Sequence, residues 1–287
     1  MNYRNNSAPA FRRAAQRGYS LIEVSVAMLV ALFLLAGLLT VLQGTRKTSV
    51  SQSSLAQLQD DERIAMTMLT SVVEMAGYYP NPELNTISNE LPPVAPFFAT
   101  TGQVIYGMAN TGIVNTKPAF GDVLVVRYNA AANEDVINCQ GTSNGTNGGP
   151  VSYINEFAVV QPDPNSPPVL ACSIDGQNFV PLVKNVTNLT VDYGINSTAT
   201  SANTIGVPVD GYVGITDPNT PSMANALAVN PAQWTNVYSV KVKVTFVNPL
   251  SQPIPNQPAD PSQPATITFT RVIGVMSRVG VDVASFT

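Results

Sequence analysis

The hydrophobic positions fall into three regimes. Residues 1–18 are polar and basic, show no hydrophobic period, and end in Gln16-Arg17-Gly18. From Tyr19 the chain turns apolar at once: the 19 residues Val24 to Leu42 hold only Ser25 and Thr40 as polar side chains. As a helix rising about 1.5 Å per residue this run spans about 28 Å, close to the hydrocarbon thickness of a bilayer, about 30 Å. Beyond Gly44, Leu58, Ala65, Met68, Leu69, Val72, Met75 and Ala76 recur at spacings of three, four or seven, the stripe of an amphipathic helix. Gln57, Asp60, Asp61, Arg63, Thr67 and Glu74 fall on the other face. Gly77 suits a helix cap and Pro80 cannot continue a helix. The pattern therefore predicts one helix from about Leu21 to Ala76, with Gly37 or Gly44 as the place for a bend.

All but one of the 23 prolines lie at residue 80 or later, which marks a domain boundary near that residue. Past it the period shortens to two. Strands are predicted at Asp122–Tyr128, Phe157–Gln161, Val169–Ile174, Val186–Tyr193, Tyr238–Val247 and Thr266–Ile273. Val240-Lys241-Val242-Lys243-Val244-Thr245-Phe246 and Thr266-Ile267-Thr268-Phe269-Thr270 both alternate apolar with polar side chains. Each should bury one face and wet the other, and the two fit as neighbouring antiparallel strands. Long polar loops are expected at 80–119, 129–150, 194–233 and 248–264; such loops are where recognition usually resides, and they read equally well as spacers without a partner.

Composition limits the chemistry. With 287 residues and 45% hydrophobic content the chain can build a sizeable core. It has no histidine and two cysteines, which removes the commonest general base and the usual zinc-ligand sets. No Gly-rich phosphate loop or nucleophile motif is present, so no enzyme activity and no cofactor are expected. The net charge is −4, and the four arginines of residues 1–18 leave the remainder more acidic still; no nucleic-acid partner is expected. Consecutive Asp60-Asp61-Glu62 point in different directions on a helix and cannot converge on one metal ion. Cys139 and Cys172 read as one disulfide if their segment lies outside the cytoplasm, and otherwise as two buried thiols.

Arg4, Arg12, Arg13 and Arg17 precede the apolar run, while Arg46 and Lys47 follow it. That balance keeps the N-terminus cytoplasmic and directs the rest outward. A secretory signal would be cut after the apolar run, behind small residues; here the basic part meets the apolar part through Gly18. Glu23 is the oddity, a carboxylate at the start of a membrane helix. A cut between Gly18 and Tyr19 would create an α-amine four residues away, about one helical turn. The alternative is a carboxylate that snorkels to the headgroups.

Arg17-Gly18-Tyr19-Ser20-Leu21-Ile22-Glu23 followed by an apolar helix resembles the class III signal of type IV prepilins and pseudopilins. The resemblance implies cleavage after Gly18 by a prepilin peptidase, N-methylation of Tyr19 where the family commonly has Phe, and an assembly salt bridge through Glu23. Further along, Arg63-Ile64-Ala65-Met66, Met75-Ala76-Gly77-Tyr78, Gly121-Asp122-Val123-Leu124-Val125-Val126-Arg127-Tyr128, Leu170-Ala171-Cys172, Leu189-Thr190-Val191-Asp192-Tyr193-Gly194 and Trp234 are similar in order to PilW-type minor pilins. The proline-rich stretch 248–264 departs from that family. The implied fold is α+β, a type IV pilin-like lollipop: a leader at 1–18, a transmembrane or filament-core half-helix at 19–44, an amphipathic half at 45–79, and an extracytoplasmic β-rich domain at 80–287 with an antiparallel sheet.

The implied function is that of a minor pilin that primes pilus assembly and sits at the tip. Its implied partners are other minor and major pilins, the inner-membrane assembly platform, the prepilin peptidase and a large tip adhesin. It would reside in the inner membrane, with its C-terminal domain in the periplasm, before assembly, and in the surface pilus afterwards. The alternatives are a minor pseudopilin of a type II secretion system and, in a different class, a membrane-anchored enzyme or receptor.

Overall fold

A computed structural model describes residues 18–109, 113–114, 117–145, 148–199, 206–215, 222–229, 231–251 and 262–278. The arginines of the leader lie outside these residues. The chain divides into two units, 1–53 and 54–287. Secondary structure opens with one helix, α1 (Leu21–Glu74), and continues into a largely β unit, an α+β arrangement.

In the first unit every described residue up to Val50 is exposed. In the second, α1 buries Leu58, Ala65, Met66, Leu69, Val72 and Val73. The buried stripe is rotated from the one expected: Met66 and Val73 are covered, whereas Met68 and Met75 are half-buried. Both i+3 and i+4 neighbours of Leu69 fit a stripe wider than 100°. The last helical residue is Glu74, two short of the expected end. Gly77, at φ 77°, directs its N–H to the Arg127 carbonyl of a strand (2.9 Å) and not back to the helix, a turn that glycine permits.

Among the described residues ten strands follow: β1 Ile105–Ala109, β2 Ile113–Val114, β3 Lys117–Ala130, β4 Val151–Val160, β5 Val169–Ile174, β6 Val180–Lys184, β7 Val186–Ile195, β8 Gly211–Gly214, β9 Val237–Val247 and β10 Thr266–Gly274. Helices α2 (Ile87–Glu90) and α3 (Met223–Val229) lie in the connections. The sheet order is β10-β9-β7-β3-β4-β5-β6; β1 and β2 pair with β3, and β8 pairs with β7. Among the described residues the strands pair antiparallel except at one parallel bridge, Gly121 with Leu189, where β3 meets β7. There a Cβ on residue 121 would stand 2.1 Å from the Leu189 carbonyl oxygen, and φ is +81°. Asp122 then accepts the Val191 N–H at 2.8 Å and closes the seam.

Val123-Leu124-Val125-Val126 is apolar without a break because β3 is covered on both faces. Leu124 and Val126 join the main core with α1, β7 and β9, while Val123 and Val125 join a smaller cluster with Phe98, Ala158, Ala171 and Phe179. Stretches expected as loops contain β1, β2, β8 and α3, and β6 occupies a stretch for which no element was expected.

Candidate functional site

The sequence-predicted site is the start of α1. Gly18, Tyr19 and Ser20 precede the helix, which begins at Leu21. Ser20 carries the first turn: its carbonyl accepts the Glu23 and Val24 N–H groups at 3.0 and 3.2 Å. Glu23 therefore lies in the first turn, where the unpaired N–H groups of the helix favour a negative charge. Among the described residues its carboxylate has no hydrogen bond or ion pair.

The hydroxyls behind it are satisfied within the helix. Ser25 donates to Leu21 O (2.9 Å), Thr40 to Gly37 O (2.7 Å), Thr45 to Val41 O (2.8 Å) and Thr48 to Gly44 O (3.0 Å). Such self-contained bonding lets polar side chains sit in an apolar surround. The stretch reaches a mean hydropathy of 2.7 over 18 residues, none of it buried, and is long and apolar enough to cross a membrane. Tyr19 (83%), Leu21 (85%), Ile22 (74%) and Phe33 (74%) are among its most exposed side chains.

Elsewhere several charged groups have structural partners. Asp60 pairs with Arg63 at 3.3 Å on the exposed face. Asp61, placed by the pattern on the face opposite the apolar stripe, is half-buried in a groove with Ser54, Gln57, Leu58, Asn185, Val247 and Pro249. Burial there raises its pKa, the neighbouring Asp60 adds to the rise, and Lys184 offsets part of it. Cys139 and Cys172 are joined as a disulfide, with Cα atoms 6.3 Å apart. It fastens the 131–145 loop to β5, and the Cys139 N–H also donates to Asn155 Oδ1 at 2.9 Å.

Several buried ionic groups were not anticipated, Asp192 and Arg127 among them. The Asp192 carboxylate, fully buried on β7, meets Lys241 Nζ at 2.9 Å and Lys243 Nζ at 3.1 Å from β9. The expected wet face of β9 is thus partly an ion cluster, capped by Tyr212 under Lys241. Arg127 donates to Gln103 O (2.6 Å), Pro92 O (2.5 Å) and Leu91 O (3.1 Å) and stacks on Phe98 at 4.4 Å. Burial lowers its pKa to about 10. An arginine fork aimed at three carbonyls holds the 91–103 loop. Among the described residues no three His, Cys, Asp or Glu side chains are placed to hold a metal ion.

Residues 13–39 match the family model described as the prokaryotic N-terminal methylation motif. The match spans the N-terminal segment, including Gly18, Tyr19 and Glu23. No curated protein matches the chain. Among solved structures the chain is similar to a type IV-like pilin from Thermus thermophilus, at 10% identity and a TM-score of 0.36, over 78% of this chain and 97% of that one.

Proposed function

We propose that this chain is a minor pilin of the PilW type, a structural subunit that primes assembly of a type IV pilus and stands in its tip complex. The observation that carries the reading is the methylation motif at 13–39 running directly into an apolar helix whose first turn holds Glu23. Cleavage between Gly18 and Tyr19, followed by methylation of the new α-amine, leaves a cation one turn from a carboxylate. In a filament core made of such helices, Glu23 seeks the amine of a neighbouring subunit, and the pair sets the register because charges in apolar surroundings are poorly screened. Leaving one partner unpaired costs about 3 to 5 kcal/mol.

The four leader arginines support an N-terminus in the cytoplasm and an outer domain in the periplasm, where a Cys139–Cys172 disulfide forms readily. The reading assigns residues 1–18 to the leader, 19–44 to the filament core, 45–79 to the amphipathic half-helix and 80–287 to the outer domain. Other pilins, the assembly platform, the peptidase and a tip adhesin are the partners this reading implies, and it requires neither an enzyme activity nor a cofactor.

Intact mass of the protein from cells with and without the prepilin peptidase tests the reading. Loss of residues 1–18 with gain of one methyl is expected only when the peptidase is present, and an uncut chain in both strains would refute it. In the same cells Glu23→Val should be cut normally and fail to enter pili.

A further inference from the structure

The two ends of the main strand path, β6 and β10, are unlike. β6 is five residues long, carries Pro181, ends on Lys184 and pairs with β5 through a register shift. Proline, lysine, brevity and irregularity are the devices by which proteins stop an edge from accepting another strand. β10, at the other edge, has nine residues and pairs with β9 without a shift from Thr266 to Gly274. It has no proline, and its only charge is Arg271.

Hydrogen bonds at its two ends fix which way its backbone faces. Asn248 N–H donates to Ala265 O and Val275 N–H to Tyr238 O, both at 2.9 Å. In an antiparallel ladder bonded residues alternate, so 265, 267, 269, 271, 273 and 275 turn their N–H and C=O groups to β9. Thr266, Thr268, Thr270 and Val272 turn theirs to the open edge, and all four are exposed. Thr245 and Thr268 exchange a hydroxyl bond at 2.9 Å, as expected of the closer, non-bonded pairs. Among the described residues nothing pairs with this outward row.

The side chains say what would fit it. Ile267 and Phe269 face the main core yet are only half-buried, because no strand stands beyond them. Arg271 on the same face touches Thr70 Oγ1 at 3.3 Å and meets no carboxylate among the described residues. We infer that the β10 edge accepts an extended strand from another protein chain: antiparallel, apolar opposite Ile267 and Phe269, acidic opposite Arg271, and hydroxyl-bearing opposite Thr266, Thr268 and Thr270. A second copy of β10 supplies no acid for Arg271, so the partner is a different chain. The inference is independent of cleavage at Gly18.

The test uses the full chain in detergent and the peptide Thr-Asp-Thr-Val-Thr-Ile-Thr. Binding should slow amide exchange at Thr266, Thr268, Thr270 and Val272 and leave β6 unchanged. Replacing the peptide's aspartate by lysine, or methylating the backbone nitrogen that meets Thr268, should weaken binding about tenfold, as loss of one charge-assisted or backbone bond would. Thr268→Pro removes an outward N–H and no backbone bond to β9, and of the contacts to β9 it loses the Thr245 hydroxyl bond, so it should bind as poorly as wild type binds the methylated peptide. The inference is overturned by unchanged exchange in β10 or by equal binding of the methylated peptide. Self-crosslinking of a Thr268→Cys chain into dimers would also overturn it, by assigning the edge to a second copy.

Discussion

At the scale of single residues, the β unit depends on a few positions with no substitute. Gly121 is one, because among the described residues it makes the one backbone ladder pair between β3 and β7, and a methyl group would strike the Leu189 carbonyl. Gly121→Ala adds a left-handed backbone penalty to that clash. It should lower stability by about 3 kcal/mol or more, read as a fall in unfolding midpoint with the disulfide intact. Glu156 is another kind of case. It is 3% exposed on β4, and its Oε1 has no hydrogen-bond partner. Burial raises its pKa above the ordinary 4.5, a Gly176 N–H offsets part of the rise, and Asp175 adds to it. The folded state therefore holds this proton more tightly than the unfolded one. Below the unfolded value the carboxyl is neutral in both states and costs nothing extra; as pH rises through the higher folded value, stability is lost. Glu156→Gln should leave acid stability unchanged and raise stability at neutral pH by on the order of 1 kcal/mol. Paired denaturant titrations at both ends of that window check it.

At the scale of elements, what could be read in the sequence followed from whether one face or one period dominated. β9 and β10 were legible because each buries one side and wets the other, and they do lie side by side. The start of α1 was legible because the polar leader gives way abruptly at Tyr19 to a nearly unbroken apolar run, two residues before the first helical residue, Leu21. β1 was hidden by Gly107, whose missing Cβ makes room for the Tyr193 hydroxyl. β6 was hidden by Pro181, which an edge strand tolerates. β8 has only four residues, two of them glycine. The Asp192–Lys241–Lys243 cluster was illegible for a different reason: it exists only once β7 and β9 are set in register, with Asp192 opposite Lys241. The disulfide acts at this scale too. It closes a separation of 33 residues and so should contribute about 3 to 4 kcal/mol through the unfolded chain. Cys172→Ser should remove that amount in denaturant titrations and free the 131–145 loop to proteolysis, whereas α1 and β9 should retain their amide protection.

At the scale of the whole molecule, the two units divide the work between separate stretches of chain. The buried core begins at Leu58, and no described residue before it contributes to either cluster. The first unit offers an apolar helix with its hydroxyls bonded internally and Glu23 unpaired, and the second holds the disulfide, both cores and the ion cluster. A chain beginning at Ser54 keeps every one of those buried groups and sheds the apolar stretch that limits solubility. It should be soluble without detergent, form the Cys139–Cys172 bond, and show a single cooperative unfolding transition within a few degrees of that of the second unit in the full chain. Calorimetry of the two proteins checks this. A much lower midpoint in the shorter chain would mean that residues before Ser54 stabilise the β unit through contacts that its buried core does not contain.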